Sequence, residues 1–462
     1  MPARVAQPVL LSAILSAAAV LLGGAVALSG SSAPRPGIDW PQFRGIAAQG
    51  IAEGPAPALT WNLKTGERIA WKAEIPGLGL SSPVVWGNLV CLTTAISGKA
   101  DASLKPGLYG NIAPVEDDTE HEWRVYCLDK QSGKVAWQHT AHRGVPKIKR
   151  HTKSTHANST AATDGQHLVV FFGSEGLYTY DLSGKLLWKK DLGVLDAGYF
   201  QAPEAQWETG SSPVIHDGVV LLQADVQKGS FLAAFDIKDG REIWRTPRAD
   251  VPTWGSPTVH QVQGRTQVIV NGWHHIGAYD FKTGKEIWKM KGGGDIPVPT
   301  PVVHDGLIYI TNAHGPMSPT YAIRETASGD ISLASGETSN EHIAWSHLRD
   351  GGYMCTPLVY QGLVYIVRYN GVVSAYDAKT GERKYQERFA GGTSAFTASP
   401  IASNGHVYFA NEDGQVFVVK AGPVFEIVAT NDMESPVLAT PAISEGRLLV
   451  RTARQLVSIA SR

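Results

Sequence analysis

GSPTVHQVQGRTQVIVNGWHHIGAYDFKTGKEIWKM, residues 255–290, is the unit from which most of the chain is built. Ser256-Pro257 opens it, apolar runs follow at 268–270 and 277–280, and a Lys-Thr-Gly-Lys turn leads into a last run at 286–288. Short β-branched and aromatic runs separated by Gly-containing turns mark consecutive antiparallel strands. Four such strands form a small sheet that cannot bury both of its faces alone. It needs a similar sheet on either side, so the pattern should recur.

It does recur. Small-residue openings stand at Ser82, around Ser159, and at Ser212, Ser256, Thr300, Thr356, Ser399 and Thr440, most of them followed by Pro. Where no insertion intervenes they lie about 40–45 residues apart, the length of one four-stranded propeller blade. Two long polar stretches interrupt the series, at 95–122 in the first repeat and 313–341 in the fifth. The eighth repeat lacks a fourth strand, and residues 59–75 read as the closing turn and last strand of a repeat whose first three strands are missing. Pairing the two removes both open edges. The sequence therefore predicts an all-β, eight-bladed β-propeller over 59–462, preceded by a tether and lead-in at 29–58.

The repeated residues have clear physical roles. Gly in Asp-x-x-x-Gly adopts turn conformations that other residues resist, and the Asp carboxylate bonds turn amides. The following Trp71, Trp137, Trp188, Trp244, Trp288 and Trp345 are read as structural seals between neighbouring sheets, with Tyr385 in the same place in the sixth repeat. These repeats resemble the pyrroloquinoline-quinone-type β-propeller repeat, most closely at IGAYDFKTGKEIW (276–288) and SAYDAKTGERKY (374–385). The WPQFRG lead-in at 40–45 is similar to that of exported bacterial propellers with this repeat.

The resemblance has two branches. Quinoprotein alcohol dehydrogenases imply pyrroloquinoline quinone over calcium, held under a disulfide of adjacent cysteines. This chain has no adjacent cysteines and no Cys-x-x-Cys-His haem motif. The propeller of the outer-membrane assembly machinery implies a noncatalytic scaffold and is a lipoprotein, whereas no Cys lies near this N-terminus.

Residues 9–28 are an apolar run preceded by Arg4 and ending at Ala25-Val26-Ala27, the pattern of a secretory signal over 1–28. Its length also suits an uncleaved inner-membrane anchor. Both readings place the body of the protein in the periplasm or outside the cell. In that compartment Cys91 and Cys127, on adjacent predicted strands, are either a disulfide or two buried thiols. Cys355 is read as a small core residue. With 41 basic and 42 acidic residues, the chain gives no electrostatic case for nucleic acid.

In a propeller the loops leading into the innermost strands and those joining second to third strands gather on one axial face. They bring forward Lys153, His156, Glu175, Trp207, Glu208, Asp225, Trp254, Trp273, His274, His314, Tyr353 and Asn370 as ligand-binding candidates. Histidines and carboxylates there have metal-ligand and acid–base chemistry, but no spacing fixes their geometry, so neither catalytic residues nor metal ligands are assigned. The basic run at 142–156, with Lys147, Lys149 and Arg150, is the candidate docking surface for a protein or cell-envelope partner. The preferred reading is an exported, noncatalytic binding or scaffold protein without a cofactor. The alternatives are an oxidoreductase using quinone with calcium or a metal, and an anchored extracytoplasmic sensor domain.

Overall fold

The computed structural model describes residues 1–3, 33–99, 104–107, 113–315, 317–389 and 395–461; the apolar run at 9–28 lies outside them. Eight antiparallel sheets follow one another around an axis. Blades 1 to 7 span residues 84–144, 162–190, 214–247, 258–290, 302–347, 358–388 and 401–432. Blade 8 combines residues 442–460 with Ile69–Glu74, which pairs antiparallel to the last strand from Ile69↔Ile459 to Glu74↔Gln455. The ring is thus closed by the strand left over before the first blade, as expected. Among the described residues the only helices are two 3₁₀ turns, Ile46–Ala48 and Gly173–Glu175, and no helix is long and apolar enough to cross a membrane.

Two sets of contacts hold blade to blade. Near the axis, the opening hydroxyls form a chain. The amide N–H of Ser82 donates to Thr160 Oγ1, and the same step repeats through Ser212, Ser256, Thr300, Thr356 and Ser399 to Thr440 at 2.9–3.2 Å. The second member is Thr160, one residue beyond the expected opening. Ser159 instead donates its hydroxyl to the Ser211 carbonyl at 2.8 Å. The Pro after every member except Thr160 has no N–H to satisfy as the chain turns into its strand.

Farther out, each repeat Trp covers the turn of the next blade. The indoles of Trp71, Trp137, Trp188, Trp244 and Trp345 donate to the carbonyls of Lys130, Leu182, Ile237, Phe281 and Ala378 at 2.7–3.0 Å. Trp288 is the exception. In blade 5 the equivalent turn follows Arg324, but its Glu325 carbonyl accepts from Gln267 at 3.0 Å, so the buried indole N–H has no partner among the described residues, and its ring shares a core cluster with Ala327 and Ile331 of the fifth-blade excursion.

Both insertions differ from the sequence reading. The first-blade strands Leu89–Ser97 and His121–Asp129 run nine residues each, so their pairing extends into the stretch expected to be a loop. In blade 5 the polar stretch contains the third strand, Thr320–Arg324. Its remainder supplies Gly329–Asp330, which adds to the outer strand of blade 4 in parallel. Thr320–Arg324 is only five residues long and sits inside a polar stretch, which concealed it. Cys91 and Cys127 are directly opposed across the two middle strands of blade 1, with Cα atoms 4.1 Å apart, and are joined in a disulfide. Cys355 is buried and free.

The lead-in crosses the opposite face from the binding loops and is built into the fold. Trp40 pairs with Val85 of blade 1 and Ile51 with Ala402 of blade 7. Between them Arg44 is fully buried, and its guanidinium donates to the carbonyls of Thr356, Ala48 and Gln49. A cation sealed from water requires such partners.

The tryptophan packing is directly testable. Gly284 has φ +69°, and a Cβ there would lie 2.5 Å from the Trp244 ring. Gly284→Ala is expected to cost about 2–4 kcal/mol, combining left-handed strain with overpacking. Gly264→Ala, at φ +77° with open space around it, should cost only about 1 kcal/mol. Urea unfolding of both variants measures the difference, and equal losses would show that the indole moves aside freely.

Candidate binding site on the propeller axis

The hydroxyl chain surrounds a cavity of about 160 Å³ whose walls include all eight opening residues, from Ser82 to Thr440. Phe43 of the lead-in lies at one end, and Lys153, Trp207, Trp254 and Tyr353 belong to the mouth at the other. The shaft is therefore a funnel with a polar waist, an apolar plug and an aromatic mouth.

The mouth is held from behind. Trp207 stacks on His151 with ring centroids 3.9 Å apart. The Trp254 indole N–H donates to the Glu208 carbonyl at 2.8 Å. Lys153, the charged side chain of the lining, is paired with the buried Glu412 of blade 7 at 2.6 Å. Glu412 also accepts the Gly107 amide at 2.7 Å, so the first-blade insertion reaches across the face to blade 7.

Of the other residues expected on this face, His156, Glu175 and Glu208 lie behind the wall as a buried cluster. His156 Nδ1 is 2.6 Å from Glu208 Oε1, and Glu208 adopts φ +65°. Burial pushes Glu208 up to about 8 and His156 down to about 4. One proton is shared across this contact, and burial, by penalising charge, favours its residence on the carboxyl. Burial, and then the nearby Glu208, raise Glu175 to about 7. One Glu175 oxygen accepts the Lys147 amide at 3.0 Å, while the other is buried without a partner.

Asp225 turns inward. It binds buried Arg248 at 2.8 Å together with Thr253 and Gln223. Asp250, on the far side of Arg248, accepts the amides of Trp273, His274 and His275 and so sets the Gly-Trp-His-His loop. Gly272 is required there because a Cβ would lie 2.1 Å from that carboxylate.

Trp273, His274 and His314 form an outer rim beyond the cavity lining. Trp273 stacks on His274 at 3.8 Å and meets Phe200 at 4.9 Å. His314 pairs with Asp295 at 2.6 Å, and Tyr199 donates to the same carboxylate at 2.9 Å. Tyr199 and Phe200 come from a hairpin, Gly198–Tyr199 with Ala202–Gln206, that the sequence reading missed. Its only signal was an aromatic pair in an unusually long linker. Asn370 belongs to a turn; its carbonyl accepts from Arg388 at 2.6 Å.

The basic run is largely spent within the fold. Arg150 is buried and donates to the Ser154 carbonyl at 3.0 Å. Lys147 bonds the Ser174 carbonyl and Asp191, and Lys149 pairs with Glu116. Arg150 is thus buried within the fold, which its basic neighbours in sequence do not reveal.

This arrangement, a closed ring of Trp-sealed blades around a shaft, can be set beside known proteins. The family described as outer membrane protein assembly factor BamB matches residues 121–347 and 276–423, together well over half of the chain. The chain belongs to this family. BamB from Moraxella catarrhalis superposes with a TM-score of 0.53 at 16% identity, covering 81% of this chain and 98% of that one. A europium-containing methanol dehydrogenase gives 0.63 at 13% identity, covering 91% of each chain. A quinohemoprotein alcohol dehydrogenase from Comamonas testosteroni gives 0.61 at 14%, covering 91% of this chain and 80% of that one. At such identities the likeness is one of fold. No curated protein matches by sequence.

The dehydrogenase neighbours raise the question of whether a quinone fits. Pyrroloquinoline quinone carries several carboxylates and is used with a metal ion. The lining here offers hydroxyls, aromatic faces and one lysine already paired with Glu412. No group of three His, Cys, Asp or Glu among the described residues is placed to hold a cation. The Cys91–Cys127 disulfide lies in the core of blade 1, outside the lining. This donor set does not fit the quinone–metal pair.

The buried cluster predicts a pH dependence of stability. Glu175 and Glu208 keep their protons in the folded state at pH values where the unfolded chain, titrating near 4.5, has lost them. Their contribution is complete below 4.5 and is lost as pH rises through about 7 to 8. His156 acts oppositely between about 4 and 6.5 and offsets only one of the two carboxyls there, so stability falls from about 4.5 upward and levels off above about 8. The melting temperature should drop between about pH 5 and 8, and Glu208→Gln should remove most of the part above about pH 7. An unchanged slope in the variant would show that Glu208 is already ionised.

Proposed function

We propose that this protein is an exported, noncatalytic β-propeller scaffold of the cell envelope that engages a protein or envelope ligand through its aromatic axial face. The observation that carries this reading is the neutralised mouth. Lys153 at the mouth and Asp295 and His314 at its rim are each paired within the fold, leaving aromatic surface and hydroxyls for contact. Such a surface suits binding, and among the described residues of the cavity lining there is no paired nucleophile and base. The inserted loop at 104–107 and the 198–206 hairpin enlarge the face, as binding decorations on a rigid frame do. The apolar run at 9–28 and the disulfide of blade 1 support export to an oxidising compartment.

Two measurements test the proposal. Purified protein given pyrroloquinoline quinone and calcium should neither bind the quinone tightly nor reduce a dye with alcohols or sugars. Tight binding with dye reduction would establish the oxidoreductase reading instead. In cells, a photo-crosslinking residue placed on the axial rim at Phe200, or at the exposed Tyr369 whose ring meets Tyr353 of the mouth, should give a discrete adduct. The same residue at Leu187 or Val428, exposed on outer strands, should not. Equal labelling at both places would remove the axial face from the proposal.

A further inference from the structure

The axial funnel has a composition that selects a ligand class. We propose that it binds a single neutral pyranose ring, as a free sugar or as the terminal unit of a glycan. The inference rests on reading the axial face as the binding surface, and it adds what enters the shaft.

Size comes first. A cavity of about 150 Å³ accommodates one benzene-sized ring, so the 160 Å³ here admits one six-membered ring, with its substituents directed to the waist and the open mouth. The walls provide flat apolar faces. One face of Trp207 is held against His151, and the polar edge of Trp254 is already bonded to the Glu208 carbonyl, so what these side chains offer the shaft is ring surface. Aromatic faces pack well against the C–H faces of a pyranose.

The waist supplies the complementary chemistry. From Thr160 to Thr440 each hydroxyl oxygen accepts an amide from the preceding blade. None of the eight hydroxyls donates its own hydrogen to a protein acceptor among the described residues. Each therefore has a donor and a remaining lone pair for the shaft. An encircling set of donors and acceptors matches the ring of hydroxyls around a sugar. A plain aromatic ring would leave them unpaired, a loss that buried polar groups penalise. Charge decides against sugar acids and other anions, because Lys153 is already satisfied by Glu412 and the Gly107 carbonyl.

Titration calorimetry and tryptophan fluorescence with methyl glucoside, methyl N-acetylglucosaminide, glucuronate and p-cresol test the proposal. A neutral ring of about a dozen heavy atoms should bind with a dissociation constant of about 1 mM or tighter, and glucuronate at least tenfold more weakly. Trp254→Leu should weaken pyranoside binding at least tenfold. Ser82→Ala should weaken it about threefold to tenfold without lowering the melting temperature, because Ser82 accepts no interblade amide among the described residues and its own amide donor is retained. This second variant keeps the test valid if the tryptophan change disturbs folding. Absence of pyranoside binding, preference for glucuronate or p-cresol, or affinity indifferent to both variants would each overturn the inference. If rim crosslinking at Phe200 persists while sugars fail to bind, only the sugar assignment falls. If both are absent, the axial reading falls with it.

Discussion

A backbone amide of one blade bonded to a hydroxyl of the next is the contact on which this structure depends. Each blade is a separate sheet, joined by a strand from elsewhere in the chain only at the closure and at the outer edge of blade 4, so the interior of the ring has no continuous ladder to hold it. The chain of Ser and Thr oxygens supplies that continuity where the blades converge most closely and side chains must be small. Larger residues would fill the shaft, and alanine would leave buried amides unpaired. At the seam between blade 8 and blade 1 a different device operates. Buried Arg451 donates to the Ser81 and Thr93 carbonyls, and Lys130 reaches Ser444 and Glu445.

The same constraint shapes the functional face. Because the hydroxyl oxygens are occupied by amides, their hydrogens are left for the shaft, and a structural girdle becomes a polar waist. Phe43 closes the shaft only because Trp40 and Arg44 fasten the lead-in beneath the blades. At the other end charged residues are consumed in positioning. Asp250 gathers three amides of the Gly-Trp-His-His loop, and Glu208 carries Trp254 on its carbonyl while its carboxyl faces His156. Buried ionisable groups in such pairs set geometry more than they add stability.

Much of the architecture was legible because each blade repeats the same local rules. The Asp-x-x-x-Gly turn, the Trp that follows it and the strand left over at 59–75 each have one physical explanation, and together they require a closed ring. The candidate site was legible only in part. Lys153, Trp207, Trp254 and Tyr353 were placed at the mouth by loop position alone. Asp225 and Arg150 belong to the same loops, yet both turn inward, because a buried Arg248 and a set of carbonyls claim them. Loop position does not reveal which way a side chain points. The opening Ser and Thr were visible as turn residues, but a turn does not disclose that its hydroxyl meets an amide more than forty residues away.

By itself the sequence determined the all-β class, the blade repeat, the closure by the first strand and the tryptophan seals, since these follow from periodicity and turn chemistry within one repeat. It also placed Cys91 and Cys127 on neighbouring strands. Tertiary structure alone decided that those two cysteines stand directly opposite each other, that the lead-in plugs the shaft, and that eight hydroxyls share one ring. It also decided which charges at the mouth are cancelled. The physical reason is distance along the chain: a repeat encodes its own sheet, whereas the axis is assembled from single residues contributed by every blade.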